Sequence, residues 1–215
     1  MKIKRVSSAK YLGLIIDEKL NWDEHVISVC QSLIKYFGIF NQIKYFVTKP
    51  IVRQLYFAFI FSRISYGIEV YGSCSLKRIS QLQVLQSKLL KLVLCLHRRT
   101  PTSNLHKDLH ILTVPDIRRV KIICFVNNCL RGSCPDIFHN YFVYRPSIYN
   151  FRNTGLNVER TRTTFGSLNL GVYGAKLWNA LSDEVKKYRC QINFKTYVIK
   201  HIIGLYELED TEYLI

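Results

Sequence analysis

The sequence predicts a mainly α-helical protein. It should have a short β element at its N-terminal end, an antiparallel helical bundle, and a helical C-terminal region holding a candidate small β-hairpin. Three observations carry this expectation. Apolar residues recur at steps of three and four from Trp22 to Val47 and again from Leu76 to Leu96, the period of one helix face. Between these stretches, residues 51–64 are apolar nearly all round and read as the buried member of the bundle. Hydrophobic residues make up 48% of the 215 and aromatics 13%, which argues for a packed core over a disordered tail.

Taken in order, Lys10-Tyr-Leu-Gly-Leu-Ile-Ile16 is a strand ending at Asp17, with the β-prone run 2–6 as its partner across Ser7-Ser8. Asn21 stands three residues before Glu24, the capping-box arrangement that opens a helix. Trp22, Val26, Val29, Leu33, Phe37, Phe40, Ile43 and Val47 then form one stripe along about seven helical turns. Thr48 and Pro50 start a second helix, because proline's missing N–H is no loss in a first turn. Residues 66–72 read as an irregular turn with two glycines. A third helix runs from Ser75 to Leu96, with Leu76, Ile79, Leu82, Leu85, Leu89, Leu92 and Leu96 inward. Trp22, Phe37, Leu55, Phe59, Leu82 and Leu89 are expected inside one bundle. After a basic loop over 97–104, Thr113-Val-Pro-Asp116 is a second capping box ahead of a helix over 117–131, stopped by Gly132. Residues 136–142 are a short helix or turn. From Tyr144 to Val172 the helical period is lost and a β-hairpin is the candidate; helices return over 173–180 and 194–203. The expected organisation is 1–21, 22–97, 98–143, 144–204 and an acidic tail over 205–215.

Charge narrows the function. Lys and Arg number 31 against 15 Asp and Glu, a net +16, although Glu207, Glu209, Asp210 and Glu212 crowd into the tail. Between His25 and Lys107 the sole acid is Glu69, against twelve Lys and Arg. Such an imbalance attracts polyanions, and nucleic acid is the commonest inside a cell. On the third helix Lys77, Gln81, Lys88 and Lys91 fall within about 80° of one another, with Val84 and Cys95 in the same sector. Together with Arg78, Arg98 and Arg99 these lysines are the candidate nucleic-acid-binding set, able to follow a phosphate backbone without reading sequence. The competing reading is a solvated helix face.

Other chemistries find little support. Asp17-Glu18 follows a strand, but a two-metal site needs carboxylates converging from separate elements, and neighbours on a strand point to opposite faces. Cys124, Cys129, Cys134 and His139 recur every five residues and suggest a zinc set, yet on a helix Cys124 and Cys129 point about 140° apart. No phosphate-binding glycine loop is present, and the histidines form no triad with a serine or cysteine. Residues 1–10 are polar and basic, unlike a secretory signal. The most apolar run, 55–72, is broken by Arg63 and Glu69 and is too short to span a bilayer. Seven cysteines without an even framework point to reduced thiols and an intracellular, not secreted, protein.

Four segments carry a resemblance. Tyr11-Leu-Gly-Leu-Ile-Ile-Asp17 followed by Leu20-Asn-Trp22 and His25, then Ser65-Tyr-Gly-Ile-Glu-Val-Tyr-Gly72, then Leu82-Gln-Val-Leu-Gln-Ser-Lys88, resemble successive signatures of non-LTR retrotransposon reverse transcriptases. Arg160-Thr-Arg-Thr163, Tyr173-Gly-Ala-Lys-Leu-Trp-Asn-Ala-Leu181 and Asn193-Phe-Lys195 are similar to the closing pattern of the jockey and chicken-repeat clades. Tyr71 stands where tryptophan is usual, and Ser182 replaces a proline. The resemblance implies that residues 1–21 are the end of the palm, with Tyr11, Leu12 and Gly13 placed like a primer grip. It makes 22–97 a helical thumb on an RNA/DNA template–primer duplex, 98–143 a helical connector and 144–204 the C-terminal extension. The family's paired catalytic aspartates have no counterpart in the sequence. The resemblance therefore implies a chain inactive alone, with no cofactor of its own, since Mg²⁺ belongs to the full-length polymerase. It also implies no membrane or small-molecule partner, and a nuclear or cytoplasmic ribonucleoprotein setting. The alternatives are a host-recruited basic helical adaptor for nucleic acid or protein, and a zinc-stapled interaction domain.

Overall fold

Two residues decide how the chain begins. Leu12 and Gly13 both take positive φ, 45° and 85°, the pair of left-handed conformations that closes a two-residue hairpin of the I′ type. Strands β1 (Ser8–Tyr11) and β2 (Leu14–Asp17) therefore pair with each other, antiparallel, Ser8 opposite Asp17 and Tyr11 opposite Leu14. This corrects the expectation of one strand over 10–16 partnered by 2–6. Leucine is an unusual occupant of a positive-φ turn position, so the turn left no ordinary signature. The computed structural model describes residues 5–145, 155–190 and 193–212; most of the expected partner strand lies outside them. The protein is mainly helical, and this hairpin is its one sheet among the described residues. The chain divides into two compact units, Met1–Pro115 and Asp116–Ile215.

In the first unit the long stripe becomes two helices, α1 (Asp23–Ile34) and α2 (Tyr36–Ile43), interrupted at Lys35, which keeps helical dihedrals. Trp22, Val26, Val29, Leu33 and Phe40 are buried as the spacing predicts, while Phe37 is half-buried. The Asn21 capping box does not form: α1 has Trp22 at its N-cap, in the left-handed region, with no side-chain cap. The reason is Asp17, whose carboxylate accepts the N–H groups of Lys19, Asn21 and Trp22 and winds the chain tightly into the helix.

Pro50 sits in the first turn of α3 (Lys49–Leu55), as expected. The helical path then continues through a π-helical stretch, Tyr56–Phe61, into α4 (Ser62–Ser65). Its buried apolar residues are Val52, Tyr56, Ile60 and Ile64, all at steps of four, with Ser65 buried beside the last. On an α-helix each such step drifts about 40°; the looser i→i+5 winding turns the line back. One narrow face is therefore buried. Phe59 and Ile51 are 42% and 41% exposed, and Leu55 is half-buried, which corrects the expectation of all-round burial. Residues 66–72, expected irregular, contain one helical turn, α5 (Ile68–Tyr71), entered through Gly67 at φ 68°.

The next helix, α6 (Leu76–Val93), is the hub on which α1 and α2 pack. Leu82, Leu89, Leu90 and Val93 are buried with Gln86 and Ser87. Leu76 instead stands 84% exposed, and Leu96 is exposed past the helix end, both against expectation. The inward face is rotated toward Gln86, whose Nε2 is hydrogen-bonded in the interior. A short helix absent from the sequence reading, α7 (Ser103–Asp108), precedes α8 (Val114–Leu130).

In the second unit α8 ends at Gly132, φ 66°. A 3₁₀ turn, Asp136–Phe138, follows. Of the expected β-hairpin, the described residues show an antiparallel bridge, Tyr144 to Leu156, flanked by the Arg145 N–H to the Gly155 carbonyl and the Asn157 N–H to the Val143 carbonyl; residues 146–154 lie outside the described residues. The helices that follow among the described residues are α9 (Thr164–Ser167), α10 (Leu170–Ala180), α11 (Asp183–Lys187) and α12 (Phe194–Glu212). The last runs beyond the expected end at 203.

Candidate nucleic-acid interface

The basic set lies mostly on one side of α6 and in the loop after it. Lys77 and Lys88 are exposed, as are Arg98 and Arg99. Val84, in the same sector, is 49% exposed, so this side of α6 does face water. Lys91 is half-buried, and its Nζ donates to the Arg98 carbonyl at 3.1 Å, tying the basic loop back onto the helix. Arg78 differs from the others. Its Nε donates to Asp23 Oδ1 at 2.8 Å and its Nη1 to Gln81 Oε1 at 3.1 Å. That guanidinium fastens α6 to the start of α1, and is committed to a carboxylate before any phosphate arrives.

Tyr11, Leu12 and Gly13 form the hairpin tip, with Tyr11 and Leu12 65% and 73% exposed. A Cβ on Gly13 would stand 3.2 Å from the Tyr66 ring, and one on Gly67 would stand 2.8 Å from Leu14 Cδ2. Tyr66 also donates its hydroxyl to the Leu12 carbonyl. Two motif segments more than fifty residues apart therefore close on each other, and the positive φ of Gly13 and Gly67, 85° and 68°, favours glycine at both close approaches. Ile15 N–H donates to His25 Nδ1 at 3.4 Å, and the imidazole meets Tyr71 edge-on at 4.7 Å. Asp17 is likewise structural. Burial pushes its carboxyl up, but the backbone N–H groups of Asn21, Trp22 and Lys19 outweigh burial and hold it below its ordinary value.

His25 yields a pH prediction. Burial lowers its pKa, and Nδ1 accepts a hydrogen bond that only the neutral ring can accept. The unfolded chain takes up this proton near pH 6.5 and the folded chain only at lower pH. Its contribution is therefore complete above about pH 6.5 and is lost as pH falls, by at most about 1.4 kcal/mol per pH unit. Urea unfolding at pH 7.5 and 5.5 should show a smaller acid loss for His25→Gln than for the parent. An equal loss in both would remove His25 from the account.

Two glutamines of the Leu82–Lys88 segment, to which the sequence assigns no role, bind groups of the interior. Gln86 donates to Tyr56 Oη at 2.7 Å and to the Leu112 carbonyl at 2.9 Å. Gln83 Oε1 accepts the Val114 N–H at 2.7 Å, and its Nε2 lies 3.2 Å from His106 Nε2. They satisfy backbone groups at the end of the first unit, where an apolar residue would leave those groups unpaired. Their position on the buried side of a helix was the available signal.

The Gly174–Leu181 segment has an equally concrete basis. A Cβ on Gly174 would meet Val126 and Phe142 at 3.0 and 3.1 Å, so α10 lies close on both. Trp178 is buried near Phe194. Asn179 accepts the Leu156 N–H at 2.7 Å and donates to the Leu156 carbonyl at 2.9 Å, holding the bridge residue as a paired strand would. Of the candidate zinc set, Cys129 and Cys134 face each other at 3.3 Å between sulfurs. His139 Nε2 addresses the Cys134 carbonyl at 3.2 Å. Among the described residues no three His, Cys, Asp or Glu gather to hold a metal, and no helix is long and apolar enough to cross a membrane.

Comparison with known proteins gives one relative to report. Over 119 residues the chain is 24% identical to a Drosophila melanogaster protein described as a probable RNA-directed DNA polymerase from transposon X-element. The match takes in 53% of this chain and 13% of that protein, so the chain spans a small part of the relative's length. No family model matches the chain, and no solved structure matches it.

Proposed function

We propose that this chain is a piece of a transposon-encoded reverse transcriptase of the non-LTR type, of the jockey or chicken-repeat kind. In this reading it grips the template–primer duplex and does not itself polymerise. The observation that carries the proposal is the similarity to a transposon RNA-directed DNA polymerase, read together with a net charge of +16. The helices of the first unit are a thumb, and the exposed side of α6 with Arg98 and Arg99 is the surface toward phosphates. The hairpin tip at Tyr11, Leu12 and Gly13 lies toward the primer end. Its placement inside the cell, in the nucleus or a cytoplasmic ribonucleoprotein, follows from the same reading.

Polymerisation by two metals needs converging carboxylates. Asp17, on β2, is engaged by three backbone N–H groups, and its neighbour Glu18 lies 3.3 Å from Arg5. In this reading Mg²⁺ chemistry belongs to the full-length polymerase. Purified chain, given a primed RNA template, deoxynucleotides and Mg²⁺ or Mn²⁺, should extend nothing while still retaining the duplex in a gel shift. Template-dependent extension, or failure to hold the duplex at low salt, would overturn the proposal.

A further inference from the structure

The end of α8 brings two thiols together by backbone design. Ser133 N–H donates to the Asn128 carbonyl at 2.9 Å and Gly132 N–H to the Cys129 carbonyl at 3.0 Å. With Gly132 at φ 66°, these are the paired 6→1 and 5→2 bonds of a Schellman cap. The cap folds the chain back over the last helical turn, so that Cys134, two residues past the glycine, returns to Cys129. Their sulfurs are 3.3 Å apart, with the Cys129 thiol donating to Cys134. We propose that Cys129 and Cys134 are a dithiol site that a hydroperoxide oxidises to an intramolecular disulfide across the C-terminal cap of α8.

The two thiols have different environments, and this sets the order of events. Cys129 is buried, and burial, with the hydrogen bond to Cys134, pushes its thiol up to about 12. Cys134 is half-exposed and is the one that peroxide reaches. The Cys134 thiolate attacks a peroxide oxygen, releasing water or an alcohol and leaving a sulfenic acid. The Cys129 sulfur then attacks the Cys134 sulfur. The S–O bond breaks, the Cys129 proton leaves with the hydroxyl as a second water, and the S–S bond forms. Two thiols have then lost two electrons and two protons to one hydroperoxide. Closing the contact to about 2.05 Å needs a shift of little more than an ångström, within a turn already fixed by the cap. The product staples α8 to the segment bearing Phe138 and Phe142, which pack on Phe125.

The test uses the full chain with a modest excess of hydrogen peroxide, followed by non-reducing peptide mapping. The expected product is one cross-linked pair, Cys129 with Cys134, about 2 Da lighter than the dithiol and reversed by dithiothreitol. Its melting temperature should rise by on the order of 5 °C. Cys129→Ser should leave a Cys134 sulfenic acid that dimedone captures; Cys134→Ser should leave Cys129 as a thiol under the same dose. Cys95→Ser, which alters an exposed thiol, should cross-link as the parent does. Peroxide that carries Cys134 to sulfinic acid while Cys129 stays reduced would overturn the proposal. So would a cross-link running predominantly from Cys124.

Discussion

Replacing Trp178 by alanine should destabilise the second unit by about 3–5 kcal/mol, the usual cost of emptying an indole-sized site in a packed interior. The side chain is 3% exposed, with the Phe194 ring 6.3 Å away. Its helix cannot readily move to fill the space. Gly174 already brings the backbone of α10 within contact distance of Val126 and Phe142, and Asn179 fixes the next turn to both polar groups of the Leu156 backbone. A loss of this size is a large part of the 5–15 kcal/mol that a domain typically has. Hydrogen exchange should show it directly, with the slowest amides of α10 and α12 exchanging about two to four orders of magnitude faster. Trp22 remains as an internal fluorescence marker in the first unit. Unchanged protection in α10 would mean that Trp178 is held by less than its burial indicates.

The helices were legible because their cause is local. Proline in the first turn of α3, the glycine after α8 and the buried positions Trp22, Val26, Val29, Leu33 and Phe40 each act through their own segment, and each stands where the sequence puts it. What escaped the sequence was set partly by local competition and partly by partners far along the chain. Asp17 collects the N–H groups of Lys19, Asn21 and Trp22, two to five residues on, and displaces the expected cap. Leu76 fits the inward spacing of α6 but is exposed, because the buried face of that helix is rotated toward Gln86, which donates to Tyr56 and to the Leu112 carbonyl. The all-round apolar run 51–64 hid a π-helical stretch that buries a single line of residues.

The candidate site was legible in part for the same reason. The facing of Lys77 and Lys88 follows from helix geometry alone, and both are exposed as that geometry requires. Arg78 was grouped with them by charge; its engagement with Asp23 depends on where α1 begins and could not be read from neighbours in sequence. The quoted motifs proved to be largely architectural. Gly13 and Gly67 allow two distant loops to close, Asn179 imitates a strand, and the glutamines of α6 satisfy buried backbone.

The proposal that α6 follows a phosphate backbone makes its largest numerical claim in salt dependence. Each phosphate neutralised on B-form DNA contributes about −0.9 to the slope of log affinity against log salt. Changing Lys77, Lys88 and Lys91 together to glutamine should therefore flatten the slope by up to about three units, with the circular dichroism spectrum unchanged. Lys91 should carry the smallest share, since its ammonium already serves the Arg98 carbonyl. Changing Lys186 and Lys187, on α11 of the second unit, should alter the slope less. The deciding measurement is fluorescence anisotropy of a labelled duplex titrated with parent and triple variant across a salt series. A steep parent slope that the triple change flattens by two to three units is the predicted result. A parent slope near zero, or a steep one that the triple change leaves intact, would contradict the account and leave that side of α6 a solvated face.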